Sequence, residues 1–242
     1  MLLVVLLAAA AVLAGGIAAV TGFGIGSLLT PVLAARVGID VAVGAVAIPH
    51  FVGTAQRLWL LRRHVHREVL LRFGLASAIG GLAGALLHSR VPSRGLVVVF
   101  GLVLILAGVS ELTGWIQRAG PGRRVAWVAG LLSGALGGLV GNQGGIRSAA
   151  MLGFDVPKES YVATATAIGL IVDLARLPVY LATRWIPITK LWPLLLLATV
   201  GVSAGTVVGT RVLARLPRPA FRRAVACMLL LLGTYMLVAG RG

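Results

Sequence analysis

The chain has 242 residues, 59% of them hydrophobic and only 12% charged, and a mean hydropathy of +1.01 excludes a water-soluble globular domain. The net charge of +16 comes from 22 basic and 6 acidic residues, but the basic ones stand in short clusters between apolar runs. That pattern excludes a nucleic-acid-binding face and fits helix ends meeting lipid headgroups. The lone Cys227 can form no internal disulfide.

The first apolar run starts at Met1 and lacks the basic stretch of a signal peptide, so it is read as part of the mature chain. It breaks at Thr21-Gly22-Phe23-Gly24-Ile25-Gly26-Ser27. Gly38-Ile39-Asp40-Val41 then opens a segment over 41–61 that contains Pro49, His50 and Arg57, and segments over 69–88 and 96–116 follow. After a Gly/Pro/Arg linker at Gln117–Arg124 the order restarts. A run from 125 breaks at Gly141-Asn142-Gln143-Gly144-Gly145, with Arg147 two residues on. Gly153-Phe154-Asp155-Val156 leads into 160–182, which carries Asp173 and Arg176, and segments 191–213 and 220–239 close the chain. Helix is expected throughout, because strands in lipid need a closed barrel and a period-two alternation that is absent. Asp40 and Asp155 are expected as N-caps, and Arg72 as a side chain snorkelling from a helix end.

The repetition extends further. Gly80-x-x-x-Gly84 leads to Arg90-Val91-Pro92, and 125 residues later Gly205-x-x-x-Gly209 leads to Arg215-Leu216-Pro217. The chain therefore reads as an all-α polytopic membrane protein with two four-segment repeats, 1–120 and 121–242, each opening with a glycine-broken helical hairpin. If 1–37 and 125–153 enter and return on one side, the eighteen basic residues of the loops divide twelve and six; if every segment crosses once, they divide nine and nine. The positive-inside rule selects the first arrangement, in which the repeats are inverted, the twelve are cytoplasmic and both termini lie outside the cytoplasmic membrane.

Backbone freed from helix bonding is tolerated at membrane depth only when buried in protein or lining a cavity, and paired broken helices in matching halves point to a transporter's binding site. For an anion, the donors would be amides around Gly22, Gly24, Gly26 and Ser27, and around Gly141, Gly144 and Gly145, with Asn142 and Gln143 setting geometry. Arg147 would add fixed charge, and Arg57 and Arg176, inside the long segments that follow, are further candidates. Asp173 stands three residues before Arg176, on the same helix face, so an ion pair is expected; Asp173 and His50 are also candidates for proton coupling. Competing structural readings are helix packing for Gly80, Gly84, Gly205 and Gly209, and for His50 a satisfied packing side chain. No metal-ligand cluster, nucleophile elbow or phosphate loop is present, so neither an enzyme nor a cofactor is expected.

Ala19–Gly26 with Pro31-Val32-Leu33, and the turns at Arg90-Val91-Pro92 and Arg215-Leu216-Pro217, resemble the doubled pattern of the sulfite exporter TauE/SafE family over essentially the whole chain. The chain departs from that pattern at Gly24-Ile25-Gly26-Ser27, where three consecutive glycines are typical, and at Asn142-Gln143 and Ala150. The resemblance implies movement of sulfite, sulfoacetate or other organosulfonates across the cytoplasmic membrane, in exchange with or coupled to ions. The residues alone reach an anion pathway and do not reach sulfur. The expected partners are a small anionic substrate, membrane lipids and a second copy of the chain. A passive channel or permease for an unrelated solute, and a non-transporting scaffold, are the alternatives.

Overall fold

The computed structural model describes residues 2–91, 93–114, 123–141, 144, 147, 158–213 and isolated positions from 223 to 238. The helices are α1 (Leu2–Thr21), α2 (Ile25–Val37), α3 (Ile39–Leu61), the single turn α4 (Arg67–Val69), α5 (Leu75–His88), α6 (Ser93–Thr113), α7 (Arg123–Val140), α8 (Lys158–Thr189) and α9 (Trp192–Leu213). A π-helical turn, Leu70–Gly74, joins α4 to α5. No strand occurs among the described residues.

Among the described residues five stretches are long and apolar enough to cross a membrane: Leu2–Val20, Ile39–His64, Arg67–His88, Ser160–Thr189 and Trp192–Gly209. The outer faces carry Leu2, Val5, Ile79, Leu196 and Val200, while Thr54, Thr166, Asp173 and Arg176 are buried. Apolar side chains outside and ionisable ones inside is the distribution that lipid selects. The first glycine break separates a 20-residue α1, long enough to span by itself, from a 13-residue α2 that is not.

The break is set by Gly22, whose φ of 80° would cost an L side chain about 1–2 kcal/mol. Its amide closes on the Ala18 carbonyl at 2.9 Å. Gly141 repeats this geometry with a φ of 76° and an amide bond of 3.1 Å to the Gly137 carbonyl.

Two glycine seams hold the periphery. In the first, α5 packs on α7: a Cβ at Gly80 would meet the Leu131 carbonyl, one at Gly84 the Ala135 carbonyl, and one at Gly138 the Gly81 carbonyl. In the second, α1 packs on α9, with Gly205 against the Val12 carbonyl and Gly209 against the backbone of Gly16. Contacts advance in the same chain direction on both helices of each seam, so each pair runs parallel. Backbones meet here because the side chains are missing, the small-residue packing that replaces hydrophobic drive in lipid.

Between the seams, α3 packs on α8. Asp40 at the start of α3 lies 3.6 Å from Arg184 near the end of α8, and the His66 amide beyond α3 donates to Thr164 Oγ1 near the start of α8 at 2.8 Å. These two helices are therefore antiparallel. α8 kinks at Arg184 (φ −133°, ψ 24°), three residues ahead of Pro187.

Two local expectations are corrected. Asp40 does not cap α3: Gly38 occupies that position without a side-chain cap bond, and Asp40 sits in the first turn, where its charge faces Arg184 and complements the helix dipole. Arg72 does not simply snorkel to water, because its guanidinium pairs with Glu68 at 2.9 Å one turn away. Asp155 lies outside the described residues.

Candidate functional site

The centre of the bundle is polar because two helices turn their polar residues toward each other. On α8, Thr166, Gly169, Asp173, Arg176 and Tyr180 recur every three or four residues, and on α3 His50, Thr54 and Arg57 do the same, so each set occupies one face. Arg57 Nε donates to Thr166 Oγ1 at 2.8 Å, and that hydroxyl donates to the Val162 carbonyl at 2.7 Å. Asp173 joins the helices from the other side. Its Oδ2 lies 2.6 Å from His50 Nδ1, and its Oδ1 accepts from Arg176 Nε at 3.0 Å and Nη2 at 2.7 Å. The expected Asp173–Arg176 pair is thus formed, and His50 is part of the same network.

Both glycine breaks reach this centre. Arg176 Nη1 donates to the Gly137 carbonyl and Tyr180 OH to the Gly138 carbonyl, so the last turn of α7 is held from α8. His88 on α5 bridges the Leu139 carbonyl at 2.7 Å and the Asp40 carbonyl at 2.8 Å. Arg147 Nη2 donates to the Gly22 carbonyl at 2.8 Å, fastening the second break to the first. The breaks also touch directly: a Cβ on Gly26 would strike the Gly141 carbonyl, and one on Gly144 the ring of Phe23. Gly169 leaves room for Arg147, whose Nη1 stands 3.1 Å from where a Cβ at Gly169 would be, with Thr54 Cγ2 at 3.6 Å.

The charges do not balance. Arg57, Arg147 and Arg176 are only 1–2% exposed, and Asp173 is the one buried carboxylate among the described residues. Arg57 Nη1, Arg147 Nη1 and Arg147 Nε have no hydrogen-bond partner among the described residues, and neither does Thr30 Oγ1, which faces Gly141. A buried ion costs several kcal/mol unless it is paired. Arg57 and Arg147 are thus two buried guanidinium groups with donors left over among the described residues, and guanidinium forks are the side chains that match carboxylate, phosphate and sulfonate oxygens.

Of the residues proposed from sequence, Gly22, Gly24, Gly26, Ser27, Gly141, Gly144, Arg147, Arg57, Arg176, Asp173 and His50 are described, and Asn142, Gln143 and Gly145 lie outside the described residues. Gly24 starts α2 at a φ of 127°, and Ser27 is buried in its first turn. Sequence reasoning missed Thr30, Thr54, Thr166, Gly169 and Tyr180. One signal could have found Thr54: Arg57 and Arg176 are 119 residues apart, as are Gly22 and Gly141, and the same offset pairs Thr54 with Asp173. The two halves thus place arginines at matching positions, but only the second supplies a carboxylate one turn earlier.

The family model described as Sulfite exporter TauE/SafE matches residues 7–236 of the chain. The chain belongs to that family. No curated protein and no solved structure matches it. TauE/SafE proteins are transporters rather than enzymes, and membership makes this chain a multi-pass membrane exporter of the sulfite or anion class.

Proposed function

We propose that this TauE/SafE protein is a secondary transporter that exports sulfite, sulfoacetate or another organosulfonate across the cytoplasmic membrane, and that it holds the anion where the two glycine breaks meet. The carrying observation is the pair of buried guanidinium groups, Arg57 and Arg147, whose Nη1 atoms lack partners among the described residues. Planar guanidinium forks suit the oxygens of sulfite or a sulfonate. Thr30 Oγ1 and the first amides of α2, whose N-terminus carries no side-chain cap, add neutral donors. Arg176 is occupied by Asp173 and Gly137, so it positions the second break and leaves direct contact to Arg57 and Arg147.

The halves 1–120 and 121–242 act as inverted repeats in this reading, with both termini outside. The antiparallel packing of α3 and α8, which carry the matched arginines, supports it, as does the exchange of first helices between halves: α1 on α9, α7 on α5. Rocking of one half against the other would open the central site to each side in turn. Flux of sulfite into liposomes tests the proposal. Wild type should show saturable uptake and Arg147→Ala should lose it; unchanged uptake by Arg147→Ala would remove Arg147 from the site.

A further inference from the structure

We infer that His50 and Asp173 form a proton acceptor whose loading is positively coupled to anion binding, so that proton and anion occupy the protein together. This rests on the anion site at Arg57 and Arg147. His50 Nδ1 lies 2.6 Å from Asp173 Oδ2, so the imidazole donates from Nδ1 and its Nε2 is left as the basic nitrogen. Proton uptake at Nε2 gives an imidazolium whose positive charge is held by the carboxylate below it. Thr54 Oγ1, 3.4 Å from the same Nδ1, connects this pair to the face that carries Arg57.

Charge counting gives the sign of the coupling. With His50 neutral, three buried guanidinium groups face one carboxylate; with His50 protonated, a further positive charge enters the same low-dielectric centre. An anion between Arg57 and Arg147 offsets that charge, so anion binding raises proton affinity and, by linkage, protonation raises anion affinity by the same factor.

The surroundings leave no competing titratable group at this point among the described residues. On α8 the neighbours are Asp173, Arg176 and Tyr180, with Lys158, Glu159 and Tyr161 toward its start and Arg184 toward its end; on α3 they are Arg57 and, at its beginning, Asp40. Arg147 approaches through Gly169. Of the helices packed around them, α1 carries no ionisable side chain, α2 and α9 carry only the exposed Arg36 and Arg211, and α5 ends in His88, whose ring faces the Leu139 and Asp40 carbonyls beside the start of α3, ten residues before His50. α6 carries Arg94 and Glu111 toward its two ends, α7 carries Arg123 and Arg124 in its first turn, and Arg62, Arg63, His64, His66, Arg67, Glu68 and Arg72 lie around the turn between α3 and α5.

Calorimetric titration of the purified full chain with methanesulfonate, whose own charge is constant between pH 5 and 8, separates the possibilities. Sulfite is unsuitable because it titrates itself. Wild type should bind with proton uptake, visible as a dependence of the heat on the buffer's ionisation enthalpy. Its affinity should rise by up to about tenfold per pH unit on acidification through the window in which the pair titrates. Asp173→Asn, which removes the carboxylate charge without changing shape, should bind methanesulfonate tightly with no pH dependence, and His50→Gln should bind weakly with none. A purely structural role for the network predicts the reverse for Asp173→Asn, namely weaker binding. Wild-type binding that is independent of pH and buffer, or a pH dependence that survives His50→Gln, would overturn the coupling while leaving the anion site intact. Failure of the wild type to bind either methanesulfonate or sulfite at any pH would remove the anion site and the coupling with it.

Discussion

The glycine seams and the polar centre contain the same kind of break from ordinary packing, and they differ in what fills the space. At α5 on α7 and at α1 on α9, missing side chains are replaced by the backbone of the neighbouring helix. At the centre, Gly169 makes room for a guanidinium group, and three arginines gather around one carboxylate. A seam is closed by backbone, whereas the centre holds three buried arginines against one buried carboxylate among the described residues, and in the proposed function the anion supplies the balancing charge. Stability should therefore respond to changes in the seams, and transport to changes in the centre.

The largest effect is expected from filling a seam. Gly84→Val places a branched side chain on the Ala135 carbonyl and should cost about 3 kcal/mol or more, read as loss of monodisperse protein in detergent. Next, Arg57→Gln should weaken sulfite binding by about 3 kcal/mol, roughly a hundredfold, with an unfolding midpoint equal to or above wild type because an uncompensated charge has gone. Thr166→Ala removes the partner of Arg57 Nε and should raise the sulfite KM by about fivefold, the value of one hydrogen bond near 1 kcal/mol. Smallest is Glu68→Gln at the outer pair with Arg72, an exposed contact worth less than about 0.5 kcal/mol that should leave both flux and melting within error. A fall in folded yield for Arg57→Gln as large as that for Gly84→Val would erase the distinction between the two regions.

Much of the helical layout was legible in the sequence, because 20-residue apolar runs and glycine punctuation are local signals. The segments expected over 41–61 and 191–213 match α3 and α9 within two residues. The segment expected over 160–182 continues to Thr189, since Pro187 follows a kink at Arg184 and does not end the helix. The Asp173–Arg176 pair was also legible, being a contact within one helix turn. What was not legible is long-range. The meeting of His50 with Asp173 spans 123 residues, that of Arg147 with the Gly22 carbonyl spans 125, and neither side chain announces its partner in the local pattern. Thr166 and Thr30 carry no distinguishing local signal, and only the arrangement of α3, α8 and the two breaks brings them to Arg57 and Gly141.

Thermal unfolding of the purified protein in detergent, with sulfite or methanesulfonate against gluconate at equal ionic strength, tests the central claim most directly. Anion binding at Arg57 and Arg147 predicts a midpoint that rises with sulfite or methanesulfonate concentration in wild type and stays flat in an Arg57→Gln/Arg147→Gln double variant that remains folded. The same rise in the double variant as in wild type would contradict it.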